Sequence, residues 1–299
     1  MLGGVDKIIM DEQILCRKSR KEETDRLKDL WEIAFGDDRA YIDLFFKYKY
    51  KEDRTYVLTR NGKIAAMTTA VPVLYNDKNG AAEGVMLYAV ATHPEDRGKG
   101  FSTMLMDYVN RDFFEKGTFL SVLVPATPSL FQFYKNRGYT ESFTISEEKV
   151  KSEDLKNCKN PDLFMQPAEG KDYNRIRNRL LSDIPFIQYF DEDIEFQKQI
   201  SLLSGGDIFL LRTEDIIGCA AVEKTSSEQI LVKELLVPDS LKIAALWEIA
   251  DFMKASEIIV RTPSRSGEDP NNGRPFGMAK AKDRTFGTIQ NGYLGLAFD

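Results

Sequence analysis

The chain has 299 residues, 42% of them hydrophobic and 29% charged, and a formal net charge of −6, enough for two units that each bury a core. The acidic balance argues against a nucleic-acid partner. No apolar run approaches the ~20 residues of a membrane span, and the first ten residues lack a secretory pattern, so a cytoplasmic protein without a membrane partner is expected. A single histidine, His93, excludes multi-histidine metal sites, and no metal is expected; Cys16, Cys158 and Cys219 form no paired motif and read as buried reduced thiols.

In chain order, residues 14–19 read as a first strand. Residues 21–35 place Leu27, Leu30, Trp31, Ile33 and Ala34 at helical spacing and stop at Gly36-Asp37-Asp38. Residues 40–48 form a second amphipathic helix. Residues 55–58 and 63–75 are strand-like on either side of Asn61-Gly62, a hairpin signal. A largely apolar strand at 84–92 leads through a turn at 94–100 into a helix at 101–114. A strand at 119–124, a short helix at 129–136 and a strand at 138–145 end the first unit. The polar stretch 152–162, with Pro161, divides the chain into residues 1–152 and 162–299.

The second half repeats the order. Helices are expected at 171–181 and 194–203, strands at 207–211, 216–223 and 229–237, a helix at 241–254 and a strand at 257–261. Residues 264–272 read as a loop and 293–298 as a closing strand. YVLTRNGKIAAMTTAV resembles IFLLRTEDIIGCAAVE, and GVMLYAVATHPEDRG resembles QILVKELLVPDSLK. The pattern predicts an α+β protein of two tandem copies of one unit, each a mixed, mostly antiparallel sheet flanked by helices.

The chemistry concentrates in residues 87–139. A strand runs into Arg97-Gly98-Lys99-Gly100-Phe101-Ser102, with a helix immediately behind. Glycines there let the backbone approach a ligand, and amide hydrogens at a helix start favour an anion such as a pyrophosphate. The run is neither a Walker A loop nor a GxGxxG fingerprint. Taken alone, it also fits a solvated turn.

With its flanks, the segment resembles the acyl-CoA-binding core of the GNAT N-acetyltransferase superfamily. The loop matches that family's Arg/Gln-x-x-Gly-x-Gly/Ala pattern except at Ser102, where Gly or Ala is usual, and Pro94 stands at the usual distance before it. SLFQFYKNRGY resembles the family's second signature, a short aromatic helix with a tyrosine before Gly-aromatic. The match covers residues 14–145 in element order. The tandem layout resembles bacterial acetyltransferases of the enhanced-intracellular-survival type, which pair an active GNAT unit with a degenerate one. Here Pro238-Asp239-Ser240-Leu241 replaces the glycine loop in the second unit, so one CoA site is expected, and the sterol-carrier-like domain of those relatives is expected to be absent.

The resemblance implies acetyl-CoA as donor, CoA as product, and a primary amine of a small molecule or peptide as the acceptor that attacks directly. It implies that Val90, Ala91 and Thr92 meet the pantetheine arm through their backbone. Arg97, Gly98, Lys99, Gly100, Phe101, Ser102 and Thr103 would hold the pyrophosphate, and Ser129 and Leu130 the far arm. Tyr134 matches the family's tyrosine and is the candidate acid for a departing thiolate of pKa near 8.5; it also fits a packed aromatic beside Phe131 and Phe133. An amide at the splayed end of strand 87–92 would polarise the carbonyl. The base stays open. His93 is expected to face phosphates or solvent, Glu83 and a chain of waters are alternatives, and Asp299 is a further candidate because the C-terminus of the enhanced-survival relatives reaches the active site. The acceptor site is expected from residues 40–50, 75–83 and the second unit, with Phe45, Phe46, Tyr48 and Tyr50 fitting either a pocket lining or a buried helix stripe. Asp191, Glu192 and Asp193 fit either a cation-attracting patch or a solvated face. The alternative function is a non-catalytic acyl-CoA sensor or recruitment module, and a homo-oligomer is compatible with the sequence.

Overall fold

Short-range chemistry sets the first elements of the computed structural model, which describes residues 13–156, 158–264, 273–283 and 289–298. After β1 (Ile14–Lys18), α1 (Thr24–Phe35) stops at Gly36, whose φ of 76° is the left-handed conformation that closes a helix. Asp38 then caps α2 (Arg39–Tyr48) by accepting the Tyr41 N–H at 2.9 Å. β2 (Thr55–Arg60) and β3 (Lys63–Asp77) meet at Asn61 and Gly62, with φ of 51° and 77°, the paired left-handed residues a tight hairpin needs. β4 (Gly80–Thr92), α3 (Phe101–Glu115), β5 (Leu120–Leu123), α4 (Pro128–Lys135) and β6 (Thr140–Lys151) follow.

The second half begins with β7 (Phe164–Pro167), α5 (Gly170–Leu180), β8 (Phe186–Gln188) and α6 (Asp191–Leu203). β9 (Asp207–Arg212), β10 (Ile217–Lys224), β11 (Gln229–Leu236), α7 (Asp239–Met253), β12 (Glu257–Pro263) and β13 (Gly273–Ala281) complete it. β7, β8 and β13 were not expected from the sequence. The loop expected at 264–272 lies, after Ser264, outside the described residues.

The described strands form one mixed, mostly antiparallel sheet in the order β1-β2-β3-β4-β5-β13-β6-β12-β11-β10-β9-β7, with β8 attached to β3. Only β4–β5 and β11–β12 pair in parallel, each pair joined by a crossover helix, α3 or α7. The order is therefore a palindrome: β1 to β5 answer β7, β9, β10, β11 and β12. At its centre the halves trade strands. β13 lies against β5 of the first half, and β6 continues to Lys151 to pair with β12 of the second.

Burial follows this exchange. One apolar cluster packs under α3, another under α7, and a third draws Trp31, Phe45 and Met86 together with Ile187, Phe196 and Phe298 across the halves. Of the cysteines only Cys219 is fully buried; Cys16 and Cys158 are half-buried, against expectation.

The closing strand expected at 293–298 is absent. Tyr293 makes an isolated bridge to Phe186, and the rest is irregular, with φ of 72° at Gly295 and 59° at Phe298. The apolar run is buried all the same, because side chains satisfy its carbonyls in place of a ladder. Arg177 donates to Leu294 O at 3.0 Å, Tyr189 to Leu296 O, and Tyr41 and Tyr88 to Phe298 O.

Candidate active site

β4 and β5 pair only at Gly84, Val85 and Met86 against Leu120, Ser121 and Val122. Beyond that they part, and a cleft of about 750 Å³ opens between them. Its near wall is β4 from Met86 to Val90, where a bulge interrupts pairing with β3: Tyr88 faces Thr69 and Ala91 faces Met67, leaving Ala89 and Val90 opposite Thr68. Ala89 has φ of 52°, an unfavourable conformation for a residue with a Cβ. The bulge turns main-chain groups out of the ladder at the point where the neighbouring strand has gone.

The run expected to hold a pyrophosphate bends as glycine permits: Gly98 and Gly100 have φ of 78° and 80°, and a Cβ on either would meet nothing. The backbone N–H groups of Gly98, Lys99, Gly100, Phe101, Ser102 and Thr103 have no acceptor among the described residues. The Thr92 hydroxyl, buried at the end of β4, has no partner either. Arg97 reaches back to Thr92 O at 3.3 Å and Ala34 O at 3.4 Å. Lys99 is not a spare charge: it binds Asp96 at 2.8 Å, and together with Arg60 it holds that carboxyl below its ordinary range despite opposing burial. The Phe101 side chain belongs to the core, so only its amide is offered. Sequence reasoning missed Arg137, which donates to Thr103 Oγ1 at 2.7 Å and stacks 3.3 Å from the Phe133 ring centroid. A basic residue one turn after Tyr134 was the available signal.

On the far side, Val124, Pro125, Ala126, Leu130, Phe131 and Tyr134 line the cleft. Tyr134 is 7% exposed, and its hydroxyl meets no partner among the described residues. Burial pushes its pKa up to about 12, with Arg137 pulling weakly the other way. Ser129 is exposed and outside the cleft lining, bonded to Thr127 at 3.0 Å. Ala91 and Thr92, on the paired length of β4, and the run from Arg97 to Thr103 also lie outside that lining.

Of the segments expected around an acceptor, residues 40–50 give the cleft Tyr41, and the second half contributes as well. Trp31, Phe35, Asp37, Asp38 and Tyr41 line the cleft from the junction of α1 and α2, and residues 75–83 contribute nothing. Phe45 and Phe46 pack in the aromatic cluster around Trp31, and Tyr48 against Phe196, so the helix-stripe reading holds for them. Asp193 is buried against Lys49, and Glu192 pairs with Lys51 at 3.5 Å; neither faces the cleft. α6 instead gives its last turn, Ile200 and Leu203, with Glu223, Arg261, Arg274, Phe276 and Ala297 completing the far wall. Tyr41 and Tyr88 bring their hydroxyls to 2.5 Å and share Phe298 O. His93 and Glu83 do not line the cleft, and Asp299 lies outside the described residues.

The matching opening in the second half is filled. Beyond the parallel pairing of β11 and β12, Glu234 meets Arg177 at 2.9 Å, both fully buried, and the carbonyl of Leu294 takes another Arg177 N–H. Burial raises the Glu234 pKa, with Arg177 offsetting part of the rise. Val237-Pro238-Asp239 leads straight into α7, with no glycine bend.

Residues 16–142 match the family model described as an acetyltransferase (GNAT) domain. A comparison with curated proteins found no match. Among solved structures, a GCN5-related N-acetyltransferase from Anabaena variabilis aligns with a TM-score of 0.72 at 15% identity, over 91% of this chain and 73% of that one. Another from Kribbella flavida gives 0.67 at 16%, over 90% and 71%. Eis1 from Mycobacterium abscessus gives 0.65 at 12%, over 92% and 74%. At these identities the likeness is one of fold, and it extends through both halves.

Proposed function

We propose that the protein moves an acetyl group from acetyl-CoA to a primary amine of a small molecule or peptide, by direct attack, a reading supported by the match of residues 16–142 to the GNAT acetyltransferase domain. One observation carries the reading: the amides from Gly98 to Thr103, without an acceptor among the described residues, stand at the head of a 15-residue helix in the turn that follows the bulged strand walling the cleft. Such donors, not committed to protein atoms at the start of a helix, suit an anion such as a diphosphate.

Acetyl-CoA supplies the thioester and the thiol leaving group. The edge of β4 left open beyond Met86 offers main-chain groups to an extended amide arm, as an added strand would take them. The bulge at Ala89 and Val90 aims an amide at the carbonyl oxygen on which charge develops. Tyr134, protonated through the neutral range, donates toward the departing sulfur. Trp31, Tyr41 and Tyr88 hold the amine on the opposite side, where their rings shield it from water.

The test is Tyr134→Phe, followed by release of free thiol across a panel of amines and by titration with acetyl-CoA. We expect kcat to fall by about 10²-fold with acetyl-CoA affinity kept. Undiminished turnover would remove Tyr134 as the acid. Cofactor binding without acetylation of any amine would leave a CoA-binding module in place of an enzyme.

A further inference from the structure

The charges in the cleft are separated. Asp37 and Asp38 stand at one side, where Asp37 accepts the Trp31 indole N–H at 2.7 Å and Asp38 caps α2; neither forms an ion pair among the described residues. Glu223 is matched by Lys233 at 3.1 Å. The other side is basic, and the strand exchange builds it. Met278 of β13 pairs with Leu123, the last residue of β5, so Phe276 and Arg274 run on past the end of that strand into the opening.

Arg274 is held there. Its NH2 donates to Glu147 Oε2 at 2.6 Å, Arg261 Nε donates to the same oxygen at 2.9 Å, and Phe276 lies 5.7 Å from the Arg274 guanidinium and 5.4 Å from that of Arg261. Arg261 stands directly across from Glu147 in the β12–β6 register. Arg274 remains 44% exposed, and its Nε and NH1 make no hydrogen bond among the described residues. A guanidinium fixed at one corner and open along its other edge suits a planar carboxylate.

We propose that the acceptor is an amine that also carries a carboxylate, its ammonium end toward Asp37 and Asp38 and its carboxylate on Arg274. This rests on the acetyltransferase reading and adds the substrate class. Arg274 is the specificity-determining contact; Glu147 and Arg261 are positioning residues.

The test compares ω-amino acids of increasing length, from β-alanine to aminooctanoate, with their neutral amides as acceptors. At the best-fitting length we expect kcat/KM for the acid to exceed that for the amide by about 10-fold. Arg274→Gln should bring the ratio close to one, and Arg274→Lys, which keeps the charge but loses the fork, should lower it several-fold. If Arg274→Gln does not fold, the lysine variant carries the test. A ratio near one in the unaltered protein at every length overturns the proposal, as does a variant that alters acid and amide equally. Acetyl-CoA and acetyl-dephospho-CoA form a second pair: if Arg274→Gln changes their ratio, the arginine serves the cofactor and the proposal falls. Acetylation of no amine at all removes the parent reading and this one with it.

Discussion

At Gly100 a backbone φ of 80° coincides with open space where a Cβ would point, so a side chain added there is opposed by the backbone conformation and not by a clash. Gly100→Val forces a branched side chain into a left-handed conformation that costs about 1–2 kcal/mol, and fills the bend. Titration should show acetyl-CoA binding at least 10-fold weaker while the melting temperature drops only a few degrees; equal affinity would mean that the bend holds no phosphate. Tyr134 makes a prediction about pH. Burial raises its pKa to about 12, so the phenol keeps its proton through pH 10. The kcat profile should climb as the amine loses its proton and show no descending limb before pH 10. A fall centred near the ordinary phenol value would indicate a solvent-bathed tyrosine and a different acid. Both residues were legible because their signals are local, a glycine run before a helix and a tyrosine in an aromatic helix. Arg274 and Glu147 were not, since they stand 127 positions apart in the chain and only the fold joins them.

Elements with local grammar were readable to within a few residues, such as the hairpin at Asn61-Gly62 and the helix behind Gly100. The segment from Tyr293 to Phe298 was not. Its apolar composition fits a strand, but its carbonyls are taken one by one by Arg177, Tyr189, Tyr41 and Tyr88. Those partners lie on other elements, invisible to any window along the chain. Arg177 is the central pin, bonded to Glu234, Ile187 O and Leu294 O with no exposed surface. Arg177→Ala strands a buried carboxylate and frees two carbonyls, so it should cost about 3–5 kcal/mol in denaturant unfolding. A loss below about 1 kcal/mol would show that the tail is held by packing alone.

For the whole molecule, the two-unit pattern was readable because each half repeats the same succession of helices and strands, while the exchange of β6 and β13 was not, because pairing between distant strands leaves no trace in either one. The exchange predicts that residues 1–152 produced alone will lack the strand between β5 and β6, exposing two unsatisfied edges. That fragment should be insoluble or fail to bind acetyl-CoA, and co-production with residues 153–299 should restore a soluble binding pair; a well-folded, binding fragment would contradict it. The plugged opening of the second half reads differently in this light. Part of its filler, the tail that meets Arg177, follows in the chain after β13, whose Arg274 and Phe276 line the cleft of the other half. Neither half can then be replaced by recombination with a distant homologue without importing a foreign strand into the other, so the two are bound to drift through evolution as a single inherited block.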